Sequence, residues 1–191
     1  MHSREDKRLL KELRDITEAE DDMIFAETVG GDLYHWRAQI QGPYGTVYEG
    51  GIFDLDILVP EDYPYQPPRM QFDTKVWHPN ISSQTGMICL DILKAEWSPA
   101  LTIRTTLLSI QALLSCPEPD DPQDAEVAAM YRNHKSLFDS TARNWTASFA
   151  QPLTQKVQLL LDMGFDEAAA VEALKRSHGD HETAINSLLA G

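Results

Sequence analysis

Three things are scarce in this sequence. It has two cysteines, Cys89 and Cys116, and no Cys-x-x-Cys pair, which excludes a disulfide framework and a thiolate zinc site. It has no apolar run near the roughly 18–20 residues of a membrane span; the most apolar stretch, Leu107 to Leu114, is broken by Ser109 and Gln111. It is also short of positive charge, with 16 Lys and Arg against 30 Asp and Glu over 191 residues, a formal charge of −14. Non-specific nucleic-acid binding needs clustered basic side chains that displace counterions, so nucleic acid is not an expected partner. The opening Met-His-Ser-Arg-Glu-Asp has no apolar signal core. The scattered histidines offer no metal set: His178 and His181, beside a Gly-Asp turn, read as a solvated helix start. These absences describe a soluble intracellular protein without metal or membrane partner.

The basic charge present is concentrated at one end. Residues 1–14 carry +2 and the remainder −16. Residues 3–18 read as a helix, loosely capped by Ser3 and Asp6, with Leu9, Leu10, Leu13 and Ile16 on one stripe. Lys7, Lys11 and Arg14 fall along another face, with Arg4 and Arg8 beside them. That ridge reads either as a dock for an acidic partner or as the wet side of an amphipathic helix.

Three strand-like runs follow, at about 33–40, 52–59 and 69–73, separated by glycine turns and the proline-rich 60–68. Residues 74–97 are mostly irregular, and so long an irregular stretch inside a domain is more often functional than idle. Helices are expected over 102–114, 125–131 and 136–149, around a stiff acidic loop, Pro117-Glu-Pro-Asp-Asp-Pro122. Strands first and helices after make an α+β pattern. Pro152 marks a boundary, beyond which 154–163, 166–177 and 180–190, the last capped by Asp180, suit a small three-helix bundle.

Cys89 lies in Gly86-Met87-Ile88-Cys89-Leu90-Asp91. A lone cysteine between Ile and Leu is ordinarily a small buried hydrophobe, and Cys116 is read that way. Cys89 has more around it. His78-Pro79-Asn80, nine further residues to Cys89, Leu90-Asp91-Ile92-Leu93 and Trp97-Ser98-Pro99-Ala100 together resemble the active-site segment of ubiquitin-conjugating enzymes. Tyr48-Glu49-Gly50-Gly51, Tyr63-Pro64-Tyr65-Gln66-Pro67-Pro68 and Pro119-Asp120-Asp121-Pro122 extend the resemblance, in order, over about residues 4–149. Met163-Gly164-Phe165 between two helices, with Leu188-Leu189 in a third, resembles a UBA domain, a small ubiquitin-binding module. The glycine suits a helix stop that leaves Met163 and Phe165 on an exposed loop. The combination is similar to the UBA-containing, chain-building subfamily.

The resemblance implies a ubiquitin-conjugating (UBC) fold over 1–150, with an N-terminal helix, an antiparallel meander and C-terminal helices, then a UBA bundle over 152–191. It implies that Cys89 takes ubiquitin as a thioester from the activating enzyme and passes it to a lysine amine, building polyubiquitin chains for proteasomal degradation. A thioester suits that task because it stays electrophilic toward amines and the thiolate leaves readily. Asn80 is the implied oxyanion donor, with bracing of the loop as the rival role. Asp121 is the implied neighbour of the incoming lysine. A carboxylate raises an ammonium's pKa, so Asp121 would orient the amine and take its proton rather than depress its pKa. Asp120 and Asp121 could instead cap the next helix. His78 is expected to support the loop, though a hydrolase would use it as base.

Partner surfaces transfer in the same way. Lys7, Arg8 and Lys11 match the face that docks on the activating enzyme. Pro64, Tyr65, Ser98, Pro99 and Ala100 match loops that receive RING-type ligases, although many relatives have phenylalanine where Tyr65 stands. Leu108 and Ala112 lie on the helix that packs against thioester-linked ubiquitin, and Met163, Gly164, Phe165, Leu188 and Leu189 would hold ubiquitin on the UBA domain. A monomer in the cytoplasm, extending to the nucleus, is expected, with no cofactor, since ATP is consumed by the activating enzyme. The alternatives are a non-catalytic ubiquitin-binding adaptor of the same fold and a cysteine hydrolase acting on ubiquitin.

Overall fold

The computed structural model describes residues 4–19, 23–177 and 181–190. Ser3 and Asp180, read above as caps, lie outside the described residues. Helix α1 (Arg4–Glu18) leads into strands β1 (Ile24–Val29), β2 (Asp32–Gln41), β3 (Ile52–Leu58) and β4 (Arg69–Phe72). The strands form an antiparallel meander in chain order. Helices α2 (Ile103–Ser115), α3 (Ala125–Asn133) and α4 (Lys135–Phe149) complete the first core, and α5 (Leu153–Asp162), α6 (Glu167–Arg176) and α7 (His181–Leu189) form the second.

The three strands expected from sequence are present, and β1 is an addition. It alternates Ile24 and Ala26 inward with Phe25 and Glu27 outward. An exposed phenylalanine opposite a small inward alanine blurs the two-residue hydrophobic period. A local signal did exist: Gly30 and Gly31 both have positive φ, 62° and 81°, and a Gly-Gly pair is a signature of the two-residue hairpin turn.

The inner face of the sheet is closed by α1 and α2. Leu9 and Ile16 of α1 and Ile103, Leu107 and Ile110 of α2 pack in one cluster with Trp36, Ala38, Ile40, Leu55 and Ile57. A fully buried leucine such as Leu107 contributes about 2–3 kcal/mol by burial, and truncating it to alanine costs about 2–5 kcal/mol with the cavity left behind. Helix α2 begins at a reciprocal capping box between Thr102 and Thr105.

A buried carboxylate fixes these elements relative to one another. Glu12 of α1 accepts hydrogen bonds from the Arg8 guanidinium (2.6 Å), from the Tyr63 hydroxyl (2.8 and 2.9 Å to its two oxygens) and from the Ile103 N–H at the start of α2 (2.8 Å). Burial and the neighbouring Glu12 charge push the Tyr63 hydroxyl far above its ordinary pKa, so it stays a donor.

The C-terminal helices have their own small core of Leu160, Ala170, Ala173, Leu174 and Ala184, with Val157, Phe165, Ile185 and Leu188 packed on it. Ala150 still belongs to the first core, and its carbonyl accepts from the Ile52 N–H (2.7 Å). The start of α5, with Leu153 and the buried Lys156, lies along the sheet's outer face, where Phe25, Arg37 and Asp54 line an open groove between the two units. Among the described residues, no helix is long and apolar enough to cross a membrane.

Candidate functional site

Cys89 is carried to the surface by a loop stitched onto the free edge of β4. Gly86 accepts from the Phe72 N–H (2.9 Å) and donates to the Ser82 carbonyl (2.9 Å), and Ser82 donates to the Met87 carbonyl (2.9 Å). Gly86 has φ +73°, and a Cβ there would sit 1.9 Å from the Phe72 carbonyl oxygen. Only glycine fits that approach. Ile81 and Ile88 anchor the loop in the core, and the Cys89 N–H donates to the Asn80 carbonyl (2.8 Å). The Cys89 side chain is half-buried.

The His-Pro-Asn residues tie this loop to the acidic loop opposite. His78 is fully buried; its Nδ1 accepts from the Asn80 N–H (3.0 Å) and its Nε2 donates to the Leu113 carbonyl (3.0 Å). That pattern fixes the neutral Nε2–H tautomer. Burial lowers the His78 pKa to about 4, the bond to Leu113 opposing the shift only in part. His78 supports the loop. The Pro79 carbonyl accepts from the Gln123 and Asp124 N–H groups (both 2.9 Å). The buried Asn80 amide donates to the carbonyls of Glu118 (2.8 Å) and Asp121 (2.9 Å) and accepts from the Glu118 N–H (2.8 Å). Both amide hydrogens are therefore engaged. Of the two roles considered for Asn80, bracing is the one that this geometry performs.

Asp121, held by Asn80 through its carbonyl, brings a carboxylate oxygen to 3.8 Å from the Cys89 sulfur. The cap of α3 is neither Asp120 nor Asp121 but Asp124, which accepts from the Val127 N–H (3.2 Å) and from the Ser83 N–H and hydroxyl (3.2 and 2.6 Å). Partial burial pushes the Asp124 carboxyl up, but these hydrogen bonds outweigh it and leave its pKa below the ordinary value. The cap reading failed because three aspartates precede the helix within five residues, and only the last adjoins it. Cys116 also departs from expectation. It is exposed, because α2 ends there before Pro117.

One residue at the centre had no role assigned from the sequence. A single turn of 3₁₀ helix at Asp91–Leu93 folds the chain back, and the Lys94 ammonium comes to 3.2 Å from the Cys89 sulfur. Lys94 ends the run from Ile81 that carries the resemblance, but the sequence assigns it no role.

The outlying sites divide between exposed and committed side chains. Lys7 and Lys11 are exposed. Arg8 is not part of a free ridge: besides Glu12, its guanidinium donates to the carbonyls of Pro99 (3.1 Å) and Leu101 (2.9 Å) and lies over the Tyr63 ring. The periodicity placed it beside the other cations, but its length and planar fork suit the buried acceptors better. Pro64 and the 98–100 loop are joined by the Trp97 indole, which donates to the Pro64 carbonyl (2.7 Å). Tyr65, Ser98, Pro99 and Ala100 are exposed, as is Ala112, with Leu108 half-buried beside it on α2. In the second unit Gly164 (φ 92°) ends α5, leaving Met163 and Leu189 exposed. Phe165 and Leu188 were expected on the same open patch, but both are half-buried against the small core. Among the described residues, no group of three or more His, Cys, Asp or Glu side chains could hold a metal ion.

An α+β core presents Cys89 beside a carboxylate, and His78 is buried, neutral and bonded to Leu113 and Asn80, so among the described residues Cys89 has no hydrogen-bonded imidazole of the kind a cysteine hydrolase uses. The family comparisons agree in both units. Residues 8–146 match the model for ubiquitin-conjugating enzymes, and residues 152–188 match the UBA/TS-N domain. The chain is 52% identical over 184 residues to ubiquitin-conjugating enzyme E2 27 of Arabidopsis thaliana, covering 95% of this chain and 96% of that protein. It is 46% identical over 190 residues to ubiquitin-conjugating enzyme E2 K of Homo sapiens, covering 96% and 95%. The solved E2 domain of a Toxoplasma gondii ubiquitin conjugating enzyme, 64% identical, superposes with a TM-score of 0.74 over 78% of this chain and all of that one. The chain belongs to the ubiquitin-conjugating enzymes, transferases that work through a cysteine thioester. Within that family it is of the kind that carries a C-terminal UBA domain.

Proposed function

We propose that Cys89 is the cysteine that accepts ubiquitin from the activating enzyme, and that the enzyme transfers it to lysine amines to build polyubiquitin chains for proteasomal degradation. The observation that carries this reading is the pairing of Cys89 with Asp121, whose carboxylate lies 3.8 Å from the sulfur and so beside any amine attacking a thioester there. The amine attacks the carbonyl carbon, Asp121 orients it and takes its proton, and the Cys89 thiolate leaves. RING-type ligases would bind at Tyr65 and Ser98 to Ala100, which are exposed next to each other's loops. A weak ubiquitin site tethered to the catalytic unit raises the local ubiquitin concentration, which favours chain growth without any new contact at Cys89. A monomer suffices for this, and a reducing compartment such as the cytoplasm keeps the nucleophile free.

The test is charging. Incubation with activating enzyme, ubiquitin and ATP is expected to give a thiol-sensitive adduct with the wild type and with Cys116→Ser, and none with Cys89→Ala. No adduct with the wild type, despite retained ubiquitin binding, would leave the adaptor reading. Mass spectrometry of the products then shows whether chains form and through which ubiquitin lysine.

A further inference from the structure

We infer that Lys94 is a catalytic residue of the same site, its ammonium holding the negative charge that appears on the Cys89 sulfur in both half-reactions. This rests on the proposed role of Cys89 and adds to it a residue that the His-Pro-Asn pattern does not contain.

The placement is built into the backbone. After Cys89 the chain makes one turn of 3₁₀ helix, Asp91–Leu93. The Leu93 N–H bonds to the Leu90 carbonyl (3.1 Å), and the Lys94 and Glu96 N–H groups both bond to the Asp91 carbonyl (2.8 and 3.0 Å). Lys94 is therefore held over the cysteine it follows, with Nζ 3.2 Å from the sulfur. The site needs such a group. The only other charge described against the sulfur is the Asp121 carboxylate at 3.8 Å, which opposes negative charge there. The Asn80 amide has no hydrogen to spare, and His78 is buried and bonded to Leu113.

The chemistry balances without a further reagent. On charging, the Cys89 thiol gives its proton to water and the sulfur attacks the ubiquitin thioester carbonyl on the activating enzyme. A new carbon–sulfur bond forms, and the activating enzyme's sulfur leaves with the electron pair and takes a proton back from water. On discharge, the acceptor amine forms the carbon–nitrogen bond, its proton passes to Asp121, and the carbon–sulfur bond breaks with the pair returning to Cys89. In each direction Cys89 passes through a thiolate, and an adjacent ammonium favours that form. A preorganised donor in a water-excluded site is worth about 100- to 1000-fold; Lys94 is exposed, and solvent screening reduces its expected share to about 10-fold.

The test compares Lys94→Met and Lys94→Arg with the wild type, using alkylation of Cys89 by iodoacetamide at pH 7.5 in a Cys116→Ser background, then single-turnover charging and discharge to free lysine. Lys94→Met is expected to slow all three by about 10-fold. Lys94→Arg, which keeps the charge but cannot accept ubiquitin, is expected to restore most of each rate. Wild-type rates in Lys94→Met would overturn the inference. So would equal losses in both variants, which would mark the primary amine, and not its charge, as what matters. Failure of the wild type to charge would instead fall on the proposed function, and the alkylation rates would still decide the electrostatic role of Lys94.

Discussion

Asn80 and Glu118 exchange two hydrogen bonds through a single side-chain amide, Nδ2 donating to the Glu118 carbonyl and Oδ1 accepting from its N–H, both at 2.8 Å. The second amide hydrogen goes to the Asp121 carbonyl, so the carboxylate facing Cys89 is positioned by Asn80. At about 0.5–1.5 kcal/mol for each of the three bonds, Asn80→Ala is expected to cost about 1.5–4.5 kcal/mol of stability. Hydrogen-exchange protection should fall at the Asp121 amide, and discharge should slow more than charging. Asn80→Asp is expected to be worse than alanine, because its carboxylate would face two carbonyl oxygens. If Asn80→Ala left loop protection unchanged while discharge collapsed, the bracing role would be wrong.

For Asp121 the prediction concerns proton transfer. Asp121→Asn keeps the size and removes the acceptor. Single-turnover discharge to free lysine at pH 7 is expected to fall about 10-fold, below the roughly 100- to 10,000-fold of a fully engaged general base. The deficit should shrink at pH 9, where more of the amine is already neutral. A pH-independent deficit would leave Asp121 an orienting group only.

Acid stability should carry the imprint of His78. Folded, it stays neutral down to about pH 4; unfolded, its imidazole takes a proton near 6.5. Between those values the unfolded chain binds the extra proton, so this contribution is complete above pH 6.5 and is lost on acidification toward 4. At about 1.4 kcal/mol per unit the loss reaches about 3 kcal/mol. Urea unfolding at pH 7, 6 and 5 is the measurement. His78→Gln is expected to be less stable at pH 7 yet to show a flatter decline.

The two kinds of cation on α1 should separate. Lys7→Glu and Lys11→Glu are expected to weaken charging, more so at low salt, with no change in Tm, since both side chains are exposed. Arg8→Glu should lower Tm as well, by removing the partner of the buried Glu12 and setting two carboxylates together. Differential scanning fluorimetry beside the charging assay distinguishes them.

In the second unit, Met163→Ala is expected to abolish weak ubiquitin binding in NMR titrations while leaving the domain's unfolding unchanged, because the side chain is exposed. Phe165→Ala should unfold the domain at lower temperature, because its ring packs on the small core. Unaltered binding in Met163→Ala would exclude this patch.

Much of the molecule was legible in one dimension. Periodicity located α1, β3 and α2, since one buried face repeats at a fixed interval. Pro152 and Gly164 marked punctuation that the backbone obeys, and the resemblance of residues 78–100 to the active-site segment of ubiquitin-conjugating enzymes singled out Cys89 against an otherwise bland Ile-Cys-Leu setting. Strand β1 was missed because Phe25 faces outward, and the cap of α3 was misplaced among three nearby aspartates.

What the chain's order settles by itself is local: helix and strand periods, turn residues, and the motif residues around Cys89. Tertiary structure decided what each polar group is bonded to. Arg8 was read as part of a docking ridge, Asn80 as an oxyanion donor or a brace, and Glu12 was given no role, until long-range packing supplied their partners: Leu101 for Arg8, Tyr63 and Ile103 for Glu12, and Glu118 and Asp121 for Asn80. Lys94 needed only one tight turn to reach the Cys89 sulfur. A hydrogen bond depends on distances of about 3 Å and on direction, and neither is encoded in spacing along the chain once the partners lie on different elements.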